Sequence, residues 1–365
     1  MTSAFVPMTF SRGPEMPNRF MLAPLTNSQS HDDGRLGDDE FRWLTKRAEG
    51  GFGATMTAAA HVQRVGQGFP GQIGVFSDDH LEGLTRLADA INTNGSLSIV
   101  QLHHAGMRSP AELIGEAPKA PSDDAKTGAV ALSLAEVEQL RDDFIAAALR
   151  AEQAGFVGAE LHGAHGYIIA QFLSPQYNQR TDRYGGSLEN RARLLNEIID
   201  GVRAETGPDF NLGLRLSPER FGLLLAEIVD VAAELLTGGQ LDYLDMSLWD
   251  VRKTPVETGG ADGEGAEGDR LLIDYFTGLD RGETRLGVAG KIMTPSDVDW
   301  CLDQGCDFVL IGRGAILHHD FPRLCEDPSF TPVALPPGRD HLRAEGLSET
   351  FIDYINGNWP QLVDG

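Results

Sequence analysis

The chain is poor in cysteine, in lysine and in positive charge generally, and it contains no long apolar run. Its 365 residues include three cysteines, Cys301, Cys306 and Cys325, too few for a framework of paired bridges. They also lack the close spacing that iron–sulfur ligation requires. Free thiols suit a reducing compartment, and the opening MTSAFVPMTFSRG lacks the charged and apolar regions of a secretory leader, so a cytoplasmic location is expected. No stretch approaches the roughly 18 consecutive apolar residues of a membrane span. Only 30 Lys and Arg face 54 Asp and Glu, a formal net charge of −24. A field of that sign repels phosphate backbones and anionic bilayers, so neither nucleic acid nor a membrane is an expected partner. A small molecule is the expected partner, and the sequence leaves monomer and homo-oligomer both open.

No short-period repeat and no linker rich in Pro, Gly or Ser divides the chain. What recurs is a short apolar run, a turn, and a longer stretch with helical periodicity. The runs that predict strands lie at 20–25, 54–60, 97–103, 157–162, 211–217, 242–248, 285–290 and 307–312. Between them are amphipathic segments, among them Ser77–Thr93, Ser133–Ala154, Ser187–Thr206, Ala226–Leu236 and Pro295–Gln304. Ser77, Ser133 and Ser187 are good N-caps, and Glu136 and Glu189 place an acid in the first turn. Near-continuous apolar strands alternating with such helices call for a parallel sheet covered by helices. Eight of them predict an α/β fold, a single (β/α)8 TIM barrel over 1–330, with a C-terminal extension over 331–365. That extension would pack on the barrel or on a neighbouring subunit.

Barrel chemistry sits where the βα-loops converge, at the C-terminal ends of the strands. The seventh and eighth runs end in Gly290–Lys291 and Gly312–Arg313. Glycine lets the backbone approach a phosphate, and the cation beside each supplies its charge. Either glycine alone would read as an ordinary turn; the pair, each followed by a cation, favours a phosphate-bearing cofactor. Gln101 and Arg215 stand inside apolar strands, where an unpaired amide costs about 2–7 kcal/mol. The pyrimidine edge of a flavin would satisfy both, and Glu160 or Asp245 is the competing partner for Arg215. In ELHGAHGY, His162 and His165 are three apart and Tyr167 follows. A buried pair, metal ligands and neutral donors to one substrate oxygen are the competing readings, and the small neighbours of the two imidazoles favour the donors. On an ideal helix Tyr167 would lie off their shared face.

Several stretches resemble the Old Yellow Enzyme family of FMN-dependent NADH:flavin oxidoreductases, over roughly residues 5–325. They are PNRFMLAPLTN, GQIGVFSDDHLEGLTRLADAI, QLHHAG, ELHGAHGYIIAQFLSPQYNQRTDRYGGSLENRARLLNEII, LRLS and DFVLIGRGAI. RTDRYGGSLENR is the most specific of them. The resemblance implies a (β/α)8 barrel with non-covalent FMN, and NADH or NADPH as transient hydride donor. It places Ala23, Pro24, Leu25 and Thr26 against the flavin, with the Thr26 hydroxyl at the C4 carbonyl. It sets Ala59 by the ring, Gln101 at the pyrimidine edge, Arg215 near N1, and Gly290, Lys291, Gly312 and Arg313 at the phosphate. His162 and His165 would bind the activating oxygen of an α,β-unsaturated carbonyl or nitro compound, and Tyr167 would be the general acid. A dehydrogenase or demethylase of the same family is the nearest alternative, and a metal-dependent hydrolase using His103, His104, His162 and His165 a remote one. The acidic, Gly-rich stretch 258–269 reads as a solvated insertion.

Overall fold

A computed structural model describes residues 3–256, 270–359 and 362. The acidic stretch 258–269 lies outside them. Eight strands run parallel: β1 (Phe20–Leu22), β2 (Ala54–His61), β3 (Leu97–His103), β4 (Gly158–Gly163), β5 (Asn211–Leu216), β6 (Tyr243–Ser247), β7 (Arg285–Ala289) and β8 (Phe308–Ile311). Each pairs with its sequence neighbour, and Phe20–Leu22 pairs with Val309–Ile311, which closes the barrel. The fold is a (β/α)8 barrel. A short parallel ribbon, Lys119–Ala120 with Val130–Ala131, decorates the loop after β3.

The strands are buried on both faces because helices cover the outside and side chains fill the inside. Two apolar layers result. The larger joins the outward faces of the strands to the helices, and a smaller one fills the lower interior with Met21, Met56, Ile99, Tyr243, Phe308 and Leu310. Two glycines make room for the large rings of that interior. A Cβ on Gly213 would stand 2.0 Å from Tyr243 Cζ, and one on Gly287 would stand 2.4 Å from the Phe308 ring.

The helices start where the caps predict. At Ser133 the Glu136 N–H donates to Oγ at 3.3 Å, and the Ser133 N–H donates to Glu136 Oε2 at 2.8 Å, satisfying two of the orphan donors of the helix Leu134–Gln153. Ser187 caps Leu188–Glu205 with one such bond, the Asn190 N–H donating to its Oγ at 3.3 Å. Most boundaries fall within a residue of expectation, and two differ by three or more. Ser77 caps a 3-10 turn, Asp78–His80, and the α-helix begins only at Leu81. The first strand stops at Leu22 rather than at residue 25. The Ala23 N–H still donates to the Ile311 carbonyl at 3.1 Å, but Pro24 has no N–H for the ladder and the strand pairing ends there.

After β8 the chain returns over its own barrel. In the helix Glu349–Asn358, Phe351 packs edge-on against Trp43 at 4.8 Å, and the Ser348 hydroxyl donates to Gln29 Oε1 at 2.6 Å. No helix among the described residues is long and apolar enough to cross a membrane.

Candidate active site

The C-terminal ends of the strands surround a cavity of about 480 Å³, within the range of small-molecule sites. Ala23, Pro24, Leu25, Thr26, Ala59, Gln101, His162, His165, Tyr167, Arg215, Gly290, Lys291, Gly312 and Arg313 all line it. Residues separated by most of the chain thus share one wall, because each lies towards the C-terminal end of a strand of the same closed barrel or just beyond it.

His162, His165 and Tyr167 converge although they are not on a helix. His165 (φ 58°) and Gly166 (φ 70°) both take left-handed backbone, and the helix begins only at Ile168. That turn brings Tyr167 back over the histidines, with ring centroids 4.8 Å from His162 and 6.4 Å from His165. Glycine at 166 is needed twice over, for its φ and because a Cβ would lie 3.0 Å from the Phe221 ring. The Ala164 N–H donates to His162 Nδ1 at 3.2 Å, which leaves the proton of the neutral ring on Nε2. His165 Nε2 is 2.8 Å from Ser247 Oγ, and its backbone N–H donates to Ser217 Oγ at 2.9 Å. His103 supports Tyr167 from below, edge to face at 4.3 Å, its Nδ1 accepting from Gln72 Nε2 at 3.0 Å.

The metal reading has no support in this geometry. The His, Asp and Glu groups close enough to share an ion among the described residues are His318–His341–Glu345 and His319–Asp320–Glu345, and neither includes His103, His104, His162 or His165.

Arg215 and Gln101 find internal acids. The Arg215 Nε lies 3.0 Å from Asp245 Oδ2, and Gln101 Nε2 donates to Glu160 Oε1 at 2.8 Å. Both residues still face the cavity, so an internal partner and a ligand are not exclusive. Lys291 is likewise paired, its Nζ 2.9 Å from Asp250 Oδ2 at the exposed rim.

A family model described as NADH:flavin oxidoreductase / NADH oxidase matches residues 3–324. The chain belongs to that family. It is 35% identical over 347 residues to a probable NADH-dependent flavin oxidoreductase of Bacillus subtilis, covering 92% of itself and 88% of that protein. It is 33% identical over 345 residues to an NADPH dehydrogenase of Bacillus pumilus, covering 92% of itself and 97% of the relative. Among solved structures, the Old Yellow Enzyme homologue of Zymomonas mobilis superposes with a TM-score of 0.77 at 28% identity, covering 90% of this chain and 94% of its own. The chain is therefore an NAD(P)H-dependent flavin oxidoreductase of the Old Yellow Enzyme family, with FMN as cofactor.

The cavity of this family member suits FMN. Its floor carries the small residues Ala23, Ala59 and Ala289, as a flat tricyclic ring requires, and the Gln101 amide and Arg215 guanidinium stand beside them. At the far end a Cβ on Gly312 would come no closer to the protein than 3.6 Å, so the backbone there lies open to the cavity next to Arg313.

Several lining residues escaped sequence reasoning. Ser247 ends β6 and could have been found by the strand-end rule. Arg108, Phe221, Trp249, Tyr354 and Trp359 carry no local signal, and the last two arrive from the C-terminal helix. Tyr354 shares the cavity wall with Thr26, the residue that the resemblance sets at the flavin C4 carbonyl.

Burial pushes His103, His162 and His165 well below the usual imidazole range, and His104 down to about 3. The folded protein therefore refuses protons that the unfolded chain takes up below about pH 6.5. With more protons bound when unfolded, stability must fall as the pH falls, by up to about 1.4 kcal/mol per pH unit for each such group. Urea unfolding at pH 7, 6 and 5 should show a midpoint dropping steadily below pH 6.5; a level profile would contradict the burial of neutral imidazoles.

Proposed function

We propose that this enzyme reduces the C=C bond of α,β-unsaturated carbonyl or nitro compounds at the expense of NADH or NADPH. The observation that carries the reading is the convergence of two neutral imidazoles and one phenol over a floor of small residues. In this reading Ala23, Pro24, Leu25 and Ala59 seat the FMN ring, with Thr26 at its C4 carbonyl. Gln101 and Arg215 hold the pyrimidine edge, and Gly290, Lys291, Gly312 and Arg313 hold the phosphate. FMN held by these residues would supply the hydride carrier between the nicotinamide and the β-carbon of the alkene. The chain's own residues govern the rest. His162 Nε2–H and the His165 ring donate to the carbonyl or nitro oxygen, where negative charge grows as the hydride arrives. Their low basicity keeps them donors without adding a titratable charge. Tyr167 gives the proton to the α-carbon; burial raises its phenol above the ordinary range, against the pull of the nearby Arg108 cation, so it holds that proton at neutral pH.

The test is a spectrum and a reoxidation. The FMN-loaded protein should bleach under NADH or NADPH and recover its colour with 2-cyclohexenone. A protein that bleaches but is reoxidised by no activated alkene or nitroalkene is not an ene-reductase. His162→Ala removes one of the two donors, and such losses typically cost about 10²–10³ in rate. The variant should also lose the long-wavelength absorbance that phenolic ligands produce over the flavin, while still binding FMN.

A further inference from the structure

Directly below the cavity the barrel interior is polar. Glu160 on β4 and Asp245 on β6 are both 0% exposed, and Arg215 on β5 stands between their strands. Arg215 is register partner to Asp245, and Glu160 is register partner to Gln101. The groups facing Glu160 are Gln101 from β3, Arg215 from β5, and Tyr243 and Asp245 from β6. Only one of these is a cation. Two carboxylates and a single guanidinium in a dry interior leave one negative charge uncompensated, and an unpaired buried charge neutralises by taking a proton instead.

Geometry decides which acid takes it. Asp245 is the one in ion-pair contact with the guanidinium, at 3.0 Å. Glu160 has only a neutral amide, whose Nε2 donates to Oε1. Its Oε2, the Tyr243 hydroxyl beside it and both oxygens of Asp245 make no directed hydrogen bond among the described residues, so the guanidinium contact at 3.0 Å is what separates the two acids.

We propose that Glu160 stands beneath the FMN seat as a neutral carboxylic acid, a positioning residue that carries its proton on Oε2, orients Gln101 through Oε1 and leaves Arg215 to Asp245 alone. Burial, reinforced by the charge of Asp245, pushes the Glu160 carboxyl strongly up. Burial also raises Asp245, with Arg215 drawing it back down. The consequence is a floor of zero net charge: the cation expected near flavin N1 is already matched by Asp245. Ionising Glu160 would put an extra negative charge under the cofactor. It would also turn Gln101 into the donor of a charge-assisted bond, pulling the amide away from the cavity. The inference rests on the FMN seat proposed above.

Two measurements test it. FMN dissociation constants of the wild type and Glu160→Gln should be alike at pH 7, because the amide copies the shape of the neutral acid. At pH 9 the wild type should bind FMN about tenfold more weakly, the ratio that one pKa unit of coupling corresponds to, and the variant should not. If Glu160→Gln already loses FMN at pH 7, or if both proteins weaken alike at pH 9, the proposal falls. Infrared spectra of the apoprotein give a readout independent of the cofactor. A carboxylic-acid carbonyl stretch should be present at pH 7, fade by pH 9 and be missing from Glu160→Gln. Its absence from the wild type at pH 7 overturns the proposal, and this measurement decides even where the variant does not fold. A wild type that shows the band but takes up no FMN at either pH would instead defeat the FMN seat.

Discussion

Replacing Arg215 with methionine should cost about 3–5 kcal/mol of stability and abolish tight FMN binding. The magnitude follows from what is left behind. Asp245 is fully buried, its one ion-pair contact is the Arg215 Nε, and methionine fills the space without supplying charge. Breaking a buried pair from one side typically costs that much, because the surviving acid must either stay charged without a partner or take up a proton at a pH where the unfolded chain leaves it ionised. The loss is larger than for an exposed pair, where solvent screens the survivor. Arg215 also donates to Ser247 Oγ at 3.3 Å, and Ser247 bonds to the ring of His165, so the substitution loosens one of the two proposed oxyanion donors as well. Urea unfolding gives the stability, and the visible spectrum after dialysis gives the FMN content. The double variant Arg215→Met, Asp245→Leu removes both charges and should regain most of the stability without regaining FMN. A single variant within about 1 kcal/mol of the wild type would mean that Asp245 is not held as an anion.

Tyr167→Phe should separate the two halves of the catalytic cycle. The phenol stands over His162 and His165, where the α-carbon of an alkene held by those donors would lie, and it is the neutral acid among the three rings. General-acid groups contribute about 10²–10⁴ in rate, so alkene reduction should slow by about a hundredfold or more. Flavin reduction by NAD(P)H transfers a hydride and needs no proton from this residue, so it should keep its rate. Phenylalanine preserves the edge-to-face contact with His103 at 4.3 Å, so the ring should stay in place. Stopped-flow absorbance resolves the two half-reactions. Equal slowing of both would assign Tyr167 to binding rather than to proton transfer, and no slowing of either would remove it from the mechanism.

Which residues line the cavity was legible because a barrel brings its strand ends to one mouth. His162, Arg215, Gly290 and Gly312 each stand at or just beyond the end of an apolar run, and the rule that such ends converge needs no knowledge of distances. The rule failed where residues reach the cavity by other routes. Tyr354 and Trp359 arrive on a helix that starts more than thirty residues after β8, held by Phe351 on Trp43. Nothing local in NGNWP announces that destination. Helical spacing also misled over Tyr167: a 3.6-residue period separates it from the histidines, whereas two successive left-handed residues bring it back.

What the sequence determined by itself was the alternation of strand and helix, the closure at eight, and the side chains offered to the mouth. These depend on periodicity and on the intrinsic chemistry of residues at strand ends, both of which are written along the chain. The partners within the barrel were decided only by the tertiary structure. Whether Arg215 faces Asp245 or Glu160, which acid must keep a proton, and whether Lys291 is spent on Asp250 depend on the register and stagger of strands. Charges in a dry interior answer to whichever group lies a few ångströms away, and that proximity exists only once the barrel has closed.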